Sequence, residues 1–286
     1  MRWEGRRKSR NIEDRRGARR PGLIGGGITT IVVLLVAAYT GLDPTMLMKG
    51  LETVTASTSG SSSQPLPENL ENDPAANRIA VVLADTEDVW GEIFAAAGQQ
   101  YQPPSLVLFT GATASACGTG QAAMGPFYCP GDRKAYIDLS FFNDLQNRFG
   151  APGDFAQAYV VAHEVAHHVQ NIVGLSGKVR ELQRNSRSEA EVNQLSVRLE
   201  LQADCYAGVW ARRADKMHNI LEEGDIDEAL NAASAIGDDR LQKQSRGTVA
   251  PDSFTHGTSA QRVRWFRTGY DSGNPDSCDT FGAATL

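Results

Sequence analysis

Nowhere in these 286 residues do two cysteines stand as CxxC, which removes the zinc-ribbon and thioredoxin readings. The four cysteines, Cys117, Cys129, Cys205 and Cys278, are even in number, as expected where thiols pair in an oxidising compartment. Sequence alone does not fix their connectivity, although Cys117 with Cys129 would clip a short loop and leave Cys205 for Cys278. No internal repeat is visible, so a solenoid is not expected. An excess of bases is also missing from the body of the chain. Of 28 Lys and Arg against 34 Asp and Glu, nine bases and three acids fall in residues 1 to 22, leaving 19 bases and 31 acids elsewhere. An acidic body offers no cationic face for phosphates, which argues against nucleic-acid binding. With 41% hydrophobic and 22% charged residues, the composition is that of a globular protein able to bury a sizeable core.

Apart from one stretch, long apolar runs are absent. Pro21 to Leu42 is 22 residues without a charge. At about 1.5 Å per residue it reaches about 33 Å, enough to cross a hydrocarbon core. The bases before it, against Asp43 after it, place the N-terminus in the cytoplasm by the positive-inside rule. A charged region of about 20 residues is long for a signal peptide and no A-x-A site follows, so the segment is expected to be retained. Glu52 to Asn77, rich in Ser, Thr, Pro and Asn, reads as a flexible linker. The expected division is a basic cytoplasmic head (1–22), one transmembrane helix (23–42), a linker (43–77) and a catalytic-sized domain (78–286), the last periplasmic or extracellular.

Within the domain, Ala84 to Ala97 predicts a helix and Ser105 to Thr110 a strand. Phe127–Cys129 and Ala135–Leu139 flank Pro130-Gly131-Asp132 and predict a hairpin. Apolar residues Ala158, Val161, Val165, Val169 and Ile172 predict a helix from about Asp154 to Val173. Ser188 with Glu191, Asp225 with Glu228 and Thr258 with Gln261 announce three more helix starts. The last is expected to end near Gly269. The second long helix carries a stripe of Val192, Leu195, Leu199, Tyr206 and Trp210. The fold class is α+β, mostly helical with a small sheet.

The segment His163-Glu164-Val165-Ala166-His167 carries the chemistry. Four residues turn a helix by about 400°, so His163 and His167 project from one face and can share a zinc ion. Glu164 lies about 100° away, placed as a general base rather than a ligand. Catalytic zinc takes three protein ligands and keeps a place for water. His168 is off the shared face. Gln170 and Val173 occupy the glycine and final histidine places of HExxHxxGxxH, so the third ligand is a downstream carboxylate. Glu200 is the best candidate, with Asp204 one helical turn on, placed to orient a ligating histidine through its other ring nitrogen. An exposed acidic face is the alternative for this pair.

The segments MGPFYCPGDRKAYIDLSFF, DFAQAYVVAHEVAHHVQ, RLELQADCYAGVW and DDRLQKQSRGTVAPDSFTHGTSAQR resemble the bacterial YpfJ-like neutral zinc metallopeptidases over nearly the whole chain. More distantly, the order of strand, HExxH helix, ExxxD helix and Thr-His is similar to HtpX and the CAAX-processing peptidases. The resemblance implies a zincin-like fold, a Zn2+ cofactor and Glu200 as third ligand. It departs where those enzymes carry several spans and Thr-His-Pro, against Thr255-His256-Gly257 here. It further implies that Ala135, Tyr136, Ile137, Asp138 and Leu139 form an edge strand holding an extended peptide, a plain hairpin strand being the alternative. His256 is implied as a catalytic donor to the oxyanion, with Arg262 as another candidate and a locally packed loop histidine as the alternative.

The expected activity is membrane-anchored zinc endopeptidase cleavage of protein or peptide substrates. The rival is a catalytically inactive, zinc-stabilised binding or assembly module. Glu164 favours the enzyme, because a structural zinc site has no need of a base.

Overall fold

Asp73 opens the first helix. Its carboxylate accepts from the backbone N–H groups of Ala75 and Ala76, and Pro74 occupies the first turn, where no N–H is required. Helix α1 therefore runs Pro74–Ala96, burying Ile79, Val82, Leu83 and Trp90. It starts well before the expected Ala84 and takes in the last residues assigned to the linker. This computed structural model describes residues 1–17 and 72–286. The predicted transmembrane segment and most of the linker lie outside the described residues. Among the described residues, no helix is long and apolar enough to cross a membrane.

A four-stranded sheet forms one layer of the domain, with strands β1 (Ile12–Asp14), β2 (Ser105–Phe109), β5 (Phe127–Cys129) and β6 (Lys134–Asp138). The order is β1-β2-β6-β5. β2 pairs in parallel with both β1 and β6, whereas β5 and β6 form the predicted antiparallel hairpin. Buried runs such as Leu106–Phe109 suit a parallel strand covered on both faces. β3 (Ala112–Ser115) and β4 (Gly118–Gln121) make a separate small hairpin. One expectation is corrected here. The segment 135–139 is not an edge strand: β6 is flanked by β2 and β5, and the outer strand is β5. Sequence marks the hairpin but not which arm faces outward, because that depends on a parallel partner far away in the chain.

Seven more helices follow among the described residues: α2 (Ser140–Asn147), α3 (Asp154–Ile172), α4 (Leu175–Arg184), α5 (Glu189–His218), α6 (Asp225–Ala235), α7 (Asp238–Arg246) and α8 (Ser259–Ser272). The capping box at Thr258 and Gln261 is complete. At α5, Ser188 accepts from Glu191 N–H, but the Glu191 carboxylate turns to Arg187 N–H. At α6, Asp225 is the first helical residue, not the cap, and Glu228 accepts from Phe155 N–H at the start of α3. α8 runs on to Ser272, capped by Gly273, past the expected end near Gly269. Gly269 has another function: it lets α8 and α5 approach, since a Cβ there would lie 1.8 Å from the Cys205 carbonyl oxygen.

The basic head is also corrected. Residues 1–16 are not a separate segment but part of the same compact unit as the domain. β1 supplies a strand to the sheet, and Met1 and Ile12 join the main hydrophobic core. The Met1 nitrogen lies 2.7 Å from Asp154 and 3.3 Å from Asp225, the first residues of α3 and α6. Both disulfides are present, Cys117–Cys129 joining the β3–β4 turn to β5, and Cys205–Cys278 tying α5 to the C-terminal segment.

Candidate metal centre and cleft

Helix α3 brings His163 and His167 to one face, with their Nε2 atoms 3.2 Å apart. From α5, Glu200 presents Oε2 at 3.2 Å from His163 Nε2 and Oε1 at 3.3 Å from His167 Nε2. Donors around a four-coordinate zinc at about 2.0 to 2.1 Å stand about 3.3 to 3.4 Å from one another. The three side chains therefore fit one zinc ion as they stand. Two neutral imidazoles and a carboxylate are also a donor set that zinc accepts. Burial disfavours charge on His163, but Asp204 and Glu200 outweigh it and lift the imidazole to about 10. Burial likewise opposes the Glu200 carboxylate, and His167 and His163 nonetheless hold its pKa well below the ordinary range.

Each imidazole is oriented through its second nitrogen. His163 Nδ1 lies 3.0 Å from Asp204 Oδ1. Asp204 is fully buried and also accepts from Tyr159 at 2.5 Å and from Arg262 Nε at 2.9 Å. His167 Nδ1 lies 3.0 Å from Gln170 Oε1, whose amide donates to Leu199 O and Gln202 Oε1. Gln170 is a positioning residue that the motif does not announce: it occupies the glycine place of HExxHxxGxxH yet lies three residues beyond His167, on the same helix face. Arg262 also borders the cleft, and four of its five N–H groups are directed to Asp204, Tyr159 and Ile236 O.

Glu164 is buried and borders the same cleft, and no hydrogen bond from the described residues engages its carboxylate. Burial raises its pKa, partly offset by His167 and His163. A desolvated, unengaged carboxylate beside the ligands can move a proton. His168 points elsewhere: Nδ1 meets the Tyr128 hydroxyl at 3.1 Å and Nε2 the Gln102 carbonyl at 2.7 Å. Burial pushes its pKa down to about 4, so it is neutral, donating to Gln102 and accepting from Tyr128. It ties α3 to the outer strand β5.

His256 reaches the cleft from the loop before α8. Its Nδ1 lies 3.3 Å from Asp238 Oδ1, and Asp238 Oδ2 accepts from the backbone N–H of Thr255, His256 and Gly257. Asp238, the first residue of α7, thus folds the loop and aims the ring, a role that no sequence spacing announced. Desolvation lowers the His256 pKa, but Asp238 and Glu200 more than offset it, leaving the ring above its ordinary value. The cleft holds about 720 Å³ and runs from β5 residues Phe127 and Tyr128, past the three candidate ligands, to α4.

The family model described as "Putative neutral zinc metallopeptidase" matches residues 1–281, head included. The chain belongs to this family. Its relatives include the uncharacterized protein YpfJ of Escherichia coli (strain K12), 53% identical over 292 residues and covering 99% of each chain. Another is the uncharacterized protein Rv2575 of Mycobacterium tuberculosis (strain ATCC 25618 / H37Rv), 45% identical over 196 residues and 65% of each chain. No solved structure matches. The family thus carries a metallopeptidase description, while these relatives have no characterised activity.

Proposed function

We propose that the chain is a zinc-dependent endopeptidase, held at a membrane by the apolar segment 21–42 and acting on proteins or peptides outside the cytoplasm. One observation carries the catalytic reading: the two Nε2 atoms lie 3.2 Å apart with a Glu200 oxygen 3.2 to 3.3 Å from each, and the unengaged Glu164 carboxylate lines the same cleft. His163, His167 and Glu200 would hold the zinc, which supplies a Lewis acid able to bring the pKa of water towards about 7. Glu164 takes the proton of the attacking water and returns it to the leaving amine. Asp204 and Gln170 fix the imidazoles so that Nε2 of each faces the metal. His256 donates from Nε2 to the carbonyl oxygen as it gains charge. Since Ala135–Leu139 lies inside the sheet, peptide binding passes to β5, whose outer edge is free of a strand partner among the described residues and whose residues border the cleft. The pairing of all four cysteines supports an oxidising compartment.

Glu164→Gln tests this reading. The variant is expected to keep one zinc per chain and to lose hydrolysis of a casein-like substrate by at least about 100-fold, the scale of general-base catalysis. Unchanged turnover, or a zinc-loaded wild-type chain without hydrolysis, would overturn it.

A further inference from the structure

Several of the bases that the positive-inside rule counts in the head already have partners inside the fold. Arg6 forks onto Asp85 of α1 at 2.8 and 2.5 Å, and the Asp85 side chain is only 3% exposed. Arg7 reaches Glu87 at 2.8 Å and Asp88 at 2.7 Å. Arg16 bridges Asp14 at 2.9 Å and Asp73, the cap of α1, at 2.5 Å. Between these ion pairs the backbone is locked as well. Ser9, fully buried, donates its N–H to Ala80 O, and Ile12, Glu13 and Asp14 pair in register with Leu106, Val107 and Leu108. Lys134 of β6 in turn meets Glu13. Without the head, the β2 edge would lose its ladder and the buried carboxylate at Asp85 would lack its counter-charge, a cost a fold rarely bears.

Hydrogen-bonded strands of one sheet cannot lie on opposite sides of a bilayer. We propose that residues 1–16 and residues 72–286 occupy the same compartment, the oxidising one in which the disulfides form. A single crossing by segment 21–42 that leaves the head in the cytoplasm is incompatible with this pairing. The requirement holds whether β1 comes from the same chain or from a second copy, and it does not depend on the catalytic reading.

Site-specific labelling decides it. Arg10 and Arg267 are both exposed, and all four native cysteines are paired, so Arg10→Cys and Arg267→Cys each give one reactive thiol. Each full-length variant is treated with a membrane-impermeant maleimide in cells whose cytoplasmic membrane is intact, and again after detergent lysis as the accessibility control. Labelling of both variants in intact cells, at the level reached after lysis, is expected. Labelling of Arg267→Cys with protection of Arg10→Cys would restore the single crossing and overturn the proposal. Protection of both would place the whole chain in the cytoplasm and overturn it equally.

Discussion

Asp204 Oδ1 lies 3.0 Å from Nδ1 of His163, and both groups are buried. A carboxylate there fixes the tautomer that presents Nε2 to a metal and raises the basicity of the ring. Asp204→Asn removes that charge, and it also leaves the buried Arg262 without its counter-ion. Zinc affinity is expected to fall by about 10- to 100-fold, measured by competition with a chromophoric chelator. An unchanged affinity together with a lowered melting temperature would make Asp204 a brace between α3, α5 and α8 rather than a partner of the metal site.

Glu200 and Glu164 separate by chemistry. Glu200 lies within 3.3 Å of both Nε2 atoms, whereas Glu164 has no such contact. Glu200→Ala is expected to lose zinc at limiting metal, read by metal analysis after gel filtration, while Glu164→Gln retains it. Full occupancy in Glu200→Ala would remove Glu200 from the ligand set.

The two halves of the candidate metal centre were legible because each is local. HExxH and ExxxD each need only helical periodicity, and both helices formed where apolar spacing and Ser188 put them, at Asp154–Ile172 and Glu189–His218. What stayed hidden depends on distant partners. Asp238 finds His256 only after α7 and the 255–257 loop fold together. The outward arm of the hairpin is settled by β2 pairing with β6. The packing of the head is hidden for a physical reason: a run of arginines before an apolar segment looks the same whether its charges face lipid headgroups or acids such as Asp85 and Asp73. The stripe expected on α5 was likewise partly displaced, because Val197, Leu201, Cys205 and Val209 pack against Phe254, Trp265 and Cys278, leaving Leu199 to border the cleft.

The pH profile should report His256. Where Nδ1–H donates to Asp238 Oδ1 at 3.3 Å or to Thr255 Oγ1 at 3.0 Å, Nε2 carries a proton only in the imidazolium form. The donor is thus present below the His256 pKa and lost as pH rises through it. Asp238 and Glu200 hold that pKa above the ordinary value of 6.5 against desolvation. Zinc would neutralise Glu200 but leave Asp238 as a negative neighbour, so Asp238→Asn should move the alkaline limb of kcat/KM to lower pH. His256→Ala should cut kcat by roughly 100- to 1,000-fold with little change in KM and with zinc retained. An alkaline limb that stays in place in Asp238→Asn would detach the dyad from the reaction.

The contact of α5 with α8 gives the sharpest stability test. A Cβ on Gly269 would sit 1.8 Å from the Cys205 carbonyl oxygen, and one on Gly208 would sit 2.1 Å from that of Phe266. Both obstacles are backbone, so no rotamer change relieves them, and the helices themselves must part. Overpacking of this kind costs about 1 to 3 kcal/mol, occasionally more, so Gly269→Ala is expected to destabilise by at least about 2 kcal/mol in urea unfolding. The effect should reach the site as well, because α5 carries Glu200 and Asp204 while α8 carries Arg262, whose guanidinium holds Asp204 at 2.9 Å. Zinc affinity should therefore fall along with stability. Gly91→Ala is the control. Gly91 lies inside α1 with nothing within 4 Å of its added Cβ, so the better helix propensity of alanine should stabilise by about 0.5 to 1 kcal/mol and leave zinc binding unchanged. Equal behaviour of the two variants would show that the close helix crossing does not govern the geometry of the metal centre.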